Sequence, residues 1–199
     1  MKATPLAQQI LAYASQLPEG APLTAKGLLH LGSRAATDQA LSRLARNGTV
    51  IRLGRGLYAL PVETRFGKRP PAPEKVVAES AKLRGETIAT HGAAAANRLG
   101  LTTQVPMRTR YLTSGPSRKV TVGAQRVELE HVPLWQLTNA SRESGEVIRA
   151  LAWNGQPRAR EALARLKARL TPQVREELVA SRASLPTWLA ETISRELAA

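Results

Sequence analysis

Two spacings of apolar residues alternate along the first sixty positions. Leu6, Ile10, Leu11, Ala14 and Leu17 recur at helical intervals, with Pro5 at the start and Pro18-Glu19-Gly20 as the stop. Thr24 to Leu29 predicts a short helix with Thr24 as its N-cap, and Leu31-Gly32-Ser33 a turn. A third helix is expected from Arg34 to about Arg46, ended by Asn47-Gly48. The spacing then shortens to two. Thr49 to Leu53 and Leu57 to Leu60 flank Gly54-Arg55-Gly56, where glycine allows the positive φ of a hairpin turn. Three helices followed by a β-hairpin is the order of a winged helix-turn-helix, which predicts a DNA-binding domain over residues 1–62.

The third helix divides by angle. At about 100° per residue, Thr37, Ala40, Leu41 and Leu44 share a face suited to packing on the first two helices. Ala35, Gln39, Ser42, Arg43 and Arg46 lie opposite. Arginine pairs with guanine and glutamine with adenine through two hydrogen bonds each in the major groove, so this face suits a recognition helix. The small Ala35 lets the helix N-terminus approach bases, and Arg34 stands four residues before Asp38, the spacing of a helical ion pair. Arg52 and Arg55, on the hairpin, are placed to meet phosphate or a narrow minor groove. The expected DNA-binding set is therefore Arg34, Ala35, Gln39, Ser42, Arg43, Arg46, Arg52 and Arg55.

Beyond the hairpin, Pro61, Pro70, Pro71 and Pro73 bracket the basic residues Arg65, Lys68 and Arg69, a composition that predicts a linker over 63–72. Residues 73–199 then form the second expected domain. A helix over Pro73–Leu83 carries Val76, Val77 and Ala81 on its apolar side, and Thr87–Ala89 is a short strand. An alanine-rich helix over Gly92–Leu99 suits close packing. Strands are expected at Arg110–Thr113, Lys119–Val122 and Arg126–His131, the last with Val127, Leu129 and His131 on one face. From about 141 the pattern turns helical, near 144–152, 157–169, 172–182 and 186–197. Pro157, Pro172 and Pro186 stand at helix starts, where a missing N–H costs little. Trp135, Trp153 and Trp188 are expected to anchor helices. The fold class is α+β: a winged helix-turn-helix, then an α+β domain with a helical C-terminal extension.

Charge sharpens this picture. The 199 residues hold 29 Lys and Arg against 15 acids, a net charge of +14, and a pI near 11.3, which implies a polyanionic partner. Residues 1–70 contain ten basic and three acidic residues, and 71–199 nineteen and twelve, so the charge density of the first part is about twice that of the second. The absence of cysteine excludes disulfides, thiolate metal sites and cysteine nucleophiles. No apolar run approaches the ~20 residues needed to cross a bilayer, and the first twenty residues show helical spacing, so a cytoplasmic location is expected and no membrane partner. His91, Glu128, Glu130 and His131 are the candidates for acid–base or metal chemistry, but adjacent strand residues face opposite ways and no motif spacing joins them. His91-Gly92 suits capping of the helix that follows. No enzyme activity, metal or cofactor is expected. Arg108, Arg110, Arg118, Lys119 and Arg126 suit a second basic surface, toward DNA or an acidic protein.

The segments SRAATDQALSRLARNGTVIRLGRGLYALP, EKVVAE, HGAAAANRLGLTTQVP and YLTSGPSRKVTVG together resemble the AbiEi family of antitoxins and transcriptional autoregulators. The resemblance reaches to about residue 140. It is most specific over Asp38–Leu44, Arg55–Tyr58 and Ala95–Leu101. It implies a winged helix that binds its own operon promoter and a C-terminal domain that counteracts a nucleotidyltransferase-type toxin, directly or indirectly, as in type IV toxin–antitoxin systems. Two other readings stay open. One is a winged-helix regulator whose C-terminal domain dimerises or senses a ligand. The other is a nucleic-acid-processing enzyme, which would need a carboxylate or histidine cluster.

Overall fold

The first helix, α1 (Leu6–Ala14), buries Ile10 and Ala14 and lays Leu6, Leu11 and Leu17 against the same core. This is the face that the helical spacing predicts. The computed structural model that carries these elements describes residues 5–197, so the outermost residues of the expected domains (1–4 and 198–199) lie outside it. A single 3-10 turn follows at Lys26–Leu28, shorter than the expected helix; Ala25 rather than Thr24 stands at its N-cap, while Thr24 Oγ1 accepts from the Gly27 N–H at 3.0 Å. Helix α2 runs from Arg34 to Arg46, and strands β1 (Ile51–Gly54) and β2 (Leu57–Ala59) pair antiparallel across an Arg55–Gly56 loop. Gly56 has φ +66°, which a side chain would strain.

Residues 63–72, expected as a linker, contain instead a second hairpin: β3 (Val62–Thr64) pairs antiparallel with β4 (Gly67–Arg69). The prolines that argued against strand lie outside it, Pro61 before β3 and Pro70 after β4. Helix α3 (Pro73–Arg84) buries Val76, Val77 and Ala81, as its spacing predicts, and ends at Gly85 in the left-handed region. By contacts the chain divides into two compact units, Met1–Glu86 with Lys119–Val127 and Thr87–Arg118 with Glu128–Ala199. The expected boundary near residue 72 is therefore displaced. The reason lies at Glu19, whose carboxylate accepts hydrogen bonds from the Ala72 N–H (3.0 Å), Lys75 Nζ and Arg69 Nη1 (3.4 Å). Gly20 beside it, at φ +85°, lets the backbone come so close that a Cβ there would stand 2.7 Å from the Val76 nitrogen. The base of the second hairpin and the start of α3 are thus fastened to the α1–α2 connection.

Strands β5 (Ile88–Thr90), β6 (Thr109–Thr113), β7 (Arg118–Val122) and β8 (Gln125–His131) form a sheet in the order β5–β6–β8–β7, with β5 and β6 antiparallel. In β8, Val127 and Leu129 are buried while His131, expected on their face, is exposed. Its backbone N–H donates to Ser117 Oγ at 2.8 Å, and its Nδ1 lies 2.9 Å from the Gly115 carbonyl. Helix α4 (Gly92–Arg98) packs on α5 (Glu143–Asn154) through Ala95, Ala96 and Ala150, all fully buried. Helices α5, α6 (Gln156–Lys167), α7 (Pro172–Ser181) and α8 (Thr187–Leu197) enclose the largest core, including Ile148, Leu151, Leu163, Leu166, Leu178, Leu189 and Ile193. Trp135 and Trp188 pack against it, whereas Trp153 is 37% exposed. The architecture is mixed α+β with a helical C-terminal part.

Two consequences for stability follow. The Lys75 ammonium and the Ala72 N–H hold the Glu19 carboxyl below its ordinary range, against the opposing effect of burial. A depressed carboxyl stabilises the fold above its unfolded value and loses that contribution as pH falls below about 4.5. Glu19→Gln should therefore lower the unfolding free energy at neutral pH by about 1 kcal/mol, with the difference from wild type closing on acidification; denaturant titrations across pH measure it. At Gly92, a Cβ would stand 2.6 Å from the Arg149 carbonyl oxygen and 2.8 Å from Trp153 Cβ. Gly92→Ala should cost about 1–3 kcal/mol, read as a lower denaturant midpoint. Gly54→Ala, with nothing within 4 Å of the added carbon, should change little.

Candidate nucleic-acid interface

Helix α2 begins at Ser33, whose Oγ accepts from the Ala36 N–H at 3.3 Å. Thr37 is fully buried, and its hydroxyl donates to the backbone carbonyls of Ser33 and Arg34 at 3.0 and 2.9 Å, so the polar atom carries no unmet hydrogen bond inside. Thr37, Ala40, Leu41 and Leu44 are the buried residues of the helix, the four that the angular reading assigns to the core. Burial of a leucine such as Leu41 contributes about 1.5–3 kcal/mol, enough to fix which face looks outward. Arg34, Ala35, Gln39, Arg43 and Arg46 are exposed on the other side.

Ser42 departs from the expected free contact. It is half-buried, and its Oγ lies 3.3 Å from the Tyr58 hydroxyl. Tyr58 itself is 3% exposed and belongs to β2. Its backbone bridges Leu23, with Leu23 N–H donating to the Tyr58 carbonyl at 2.7 Å and Tyr58 N–H to the Leu23 carbonyl at 3.0 Å. The hairpin is therefore bonded on one side to the α1–α2 connection and on the other to the outward half of α2. Leu53, Tyr58 and Ala59 supply its buried side. Arg52 and Arg55 stand exposed on the strand and at the loop, and Arg52 Nε–H donates to the Gly54 carbonyl at 3.3 Å, which turns its guanidinium toward the loop.

Along α2 the long side chains lie back over the preceding turn. Arg43 Nε–H donates to the Gln39 carbonyl at 3.4 Å and Arg46 Nε–H to the Ser42 carbonyl at 3.5 Å. With Asp38, Gln39 and Ser42 they border a shallow depression of about 350 Å³. No ion pair joins Arg34 to Asp38 among the described residues, and none of Arg34, Arg43, Arg46, Arg52 or Arg55 pairs with a carboxylate there. Five uncompensated guanidinium groups thus stand on one helix and one hairpin of the same unit.

The residues of the expected second basic surface divide between the two units. Arg108, Arg110 and Arg118 belong to one unit and Lys119 and Arg126 to the other. Glu128 lies 3.0 Å from Arg110 Nε and 3.9 Å from Arg108 Nη1, so these two charges are compensated, and Arg118 Nη1 donates to the Pro116 carbonyl at 3.2 Å. The carboxylate that the strand reading left without a partner is the one that neutralises them.

His91, Glu128 and His131 each make structural contacts. His91 caps α4 as expected, its Nδ1 accepting from the Ala93 N–H at 3.2 Å. That bond requires the neutral ring, and burial, the largest influence, lowers the pKa of His91 in the same direction. Its Nε2 lies 3.9 Å from Glu130, beyond hydrogen-bond length. No group of three metal-ligating side chains comes together among the described residues, and no helix among them is long and apolar enough to cross a membrane. His91, Arg98, Arg108, Arg110 and Tyr111 border a cavity of about 510 Å³ in the second unit. Residues that pattern reading passed over include Tyr58, whose buried hydroxyl has no sequence signal beyond its strand position, and Arg149, 1% exposed, with Nη2 on the Ala140 carbonyl and its pKa lowered to about 10 by burial.

The crystal structure of the RV2827C protein from Mycobacterium tuberculosis is similar in fold, with a TM-score of 0.51 at 16% identity over 100% of this chain and 78% of that one. No curated protein matches the chain. A family described as a family of unknown function, DUF6088, matches residues 9–177, and the chain belongs to that family.

Proposed function

We propose that the protein is a DNA-binding antitoxin and transcriptional autorepressor of a type IV toxin–antitoxin operon, a member of the AbiEi type that counteracts a nucleotidyltransferase-type toxin. The observation that carries the DNA-binding part is the set of five uncompensated arginines on α2 and the β1–β2 hairpin, with Gln39 among them. In this reading α2 enters the major groove, where Gln39 and Arg43 meet base edges, and the hairpin acts as a wing against the backbone. Ser42 holds Tyr58 and so aligns the wing with the helix. The antitoxin part is supported by the AbiEi-like segments, and its partner is the toxin encoded beside it. A second reading is favoured by the cavity of the second unit: a winged-helix regulator whose C-terminal domain senses a ligand.

Base reading and backbone contact separate by substitution. Gln39→Ala or Arg43→Ala should each cost about 1–3 kcal/mol on the protein's own promoter and relax sequence preference. Arg55→Ala should weaken binding to promoter and scrambled duplexes alike and reduce the salt slope by about 1. Titrations of both duplexes at several salt concentrations measure this. Selective loss of promoter preference from Arg55→Ala alone would reverse the two assignments. The antitoxin reading has its own test. A full-length Arg43→Ala/Arg55→Ala variant, deficient in repression, should still relieve growth arrest by a nucleotidyltransferase encoded in the adjacent frame. Arrest that persists with soluble protein present removes the antitoxin assignment and leaves the regulator.

A further inference from the structure

The one phenylalanine of the chain is not in a core. Phe66 is 87% exposed at the tip of the β3–β4 hairpin, although its burial elsewhere would contribute about 2–3 kcal/mol. The tip is a two-residue Arg65–Phe66 loop closed by Thr64, whose Oγ1 donates to the Gly67 carbonyl at 2.7 Å and accepts from the Phe66 N–H at 3.2 Å. The Arg65 guanidinium lies over the Phe66 ring, 4.7 Å from its centre. Lys68 pairs with Glu63 at 3.3 Å, an exposed pair that water screens and a stronger anion can replace. Arg69 is engaged at the hairpin's base with Glu19. Every residue from Glu63 to Pro70 is exposed. The ribbon is thus held at its base and ordered at its tip.

We propose that this hairpin is a second DNA-contacting element, in which Phe66 wedges between base pairs from the minor groove while Arg65 and Lys68 meet the flanking phosphates. The proposal rests on the DNA-binding reading of α2. A protein-docking patch would present several apolar side chains together, whereas here a single ring stands among three cations and one acid, a composition complementary to a polyanion that offers stacked rings between charges. The guanidinium over one ring face keeps the side chain oriented before binding. A wedge of this kind partly unstacks a base step and kinks the duplex.

The test uses the full chain with end-labelled promoter and scrambled duplexes, reading affinity by anisotropy and bending by energy transfer between the ends. Wild type should bend both duplexes. Phe66→Ala should bind both about tenfold more weakly and restore the transfer of straight DNA, and Phe66→Leu, which keeps an apolar wedge, should retain part of the bend. Thermal unfolding should be unchanged for both, since the ring touches no core. Unaltered affinity and bending in Phe66→Ala overturn the hairpin assignment alone. A Phe66→Ala variant that changes the oligomeric state in solution also overturns it, because the ring would then lie between copies. Wild-type protein that binds neither duplex overturns the reading of α2 and this proposal with it.

Discussion

The placement of the first unit's outward charges depends on Tyr58. Its main chain is bonded to Leu23, its ring is buried with Ile10, Leu41 and Val50, and its hydroxyl reaches Ser42 on α2. A short two-stranded ribbon is marginal in water by itself. Here the third strand-like partner and the buried ring make β1–β2 an extension of the helical core. The consequence is geometric: Arg52 and Arg55 cannot drift relative to Gln39 and Arg43 without breaking that set of bonds. A ribbon that is loosely attached spends free energy on being ordered in any contact it makes, and one fastened at Tyr58 does not.

Glu19 has the corresponding role for the second hairpin. A single carboxylate accepts from a backbone N–H, a lysine and an arginine that lie more than fifty positions further along the chain, with one exception: Arg69 at exactly that separation is reached through the hairpin base. Its acceptor capacity is filled by donors from β4 and the start of α3. This is why α3 groups with the first unit although a proline-rich stretch precedes it.

Legibility of the sequence followed burial. Helix α2 was readable to its ends because half of it faces a core, which imposes the 3.6-residue period, and because Ser33 caps it. The close packing of α4 was readable from its alanines, since only small side chains allow backbones so close, but its partner α5 was not. The β3–β4 hairpin was not, for the same physical reason. Both of its faces meet water, so no alternation of apolar and polar residues marks it, and the prolines at its two ends signal a break that stops short of the strands. The contact of Ser42 with Tyr58 is not legible, because a position on the outward face says nothing of a tyrosine sixteen residues away. The pairing of Glu128 is not legible, because strand pairing, which brings it beside Arg110, has no local sequence signature.

Net charge alone does not tell the two parts of the chain apart. Residues 71–199 carry nineteen cations, but twelve acids accompany them. Glu128, Glu146, Glu177 and Glu196 each take an arginine at short range. Residues 1–70 have only Glu19, Asp38 and Glu63 to set against ten cations, and Glu19 is spent on fastening the hairpin base. Paired charges contribute little potential beyond their own contact, while unpaired ones of a single sign sum over the Debye length of about 8–10 Å. The two parts carry the same net charge, 10 − 3 and 19 − 12, or +7 each, but residues 1–70 hold theirs in about half the length, with five unpaired guanidinium groups on α2 and the β1–β2 hairpin. The distribution of carboxylates, as much as that of arginines, shapes the potential along the chain.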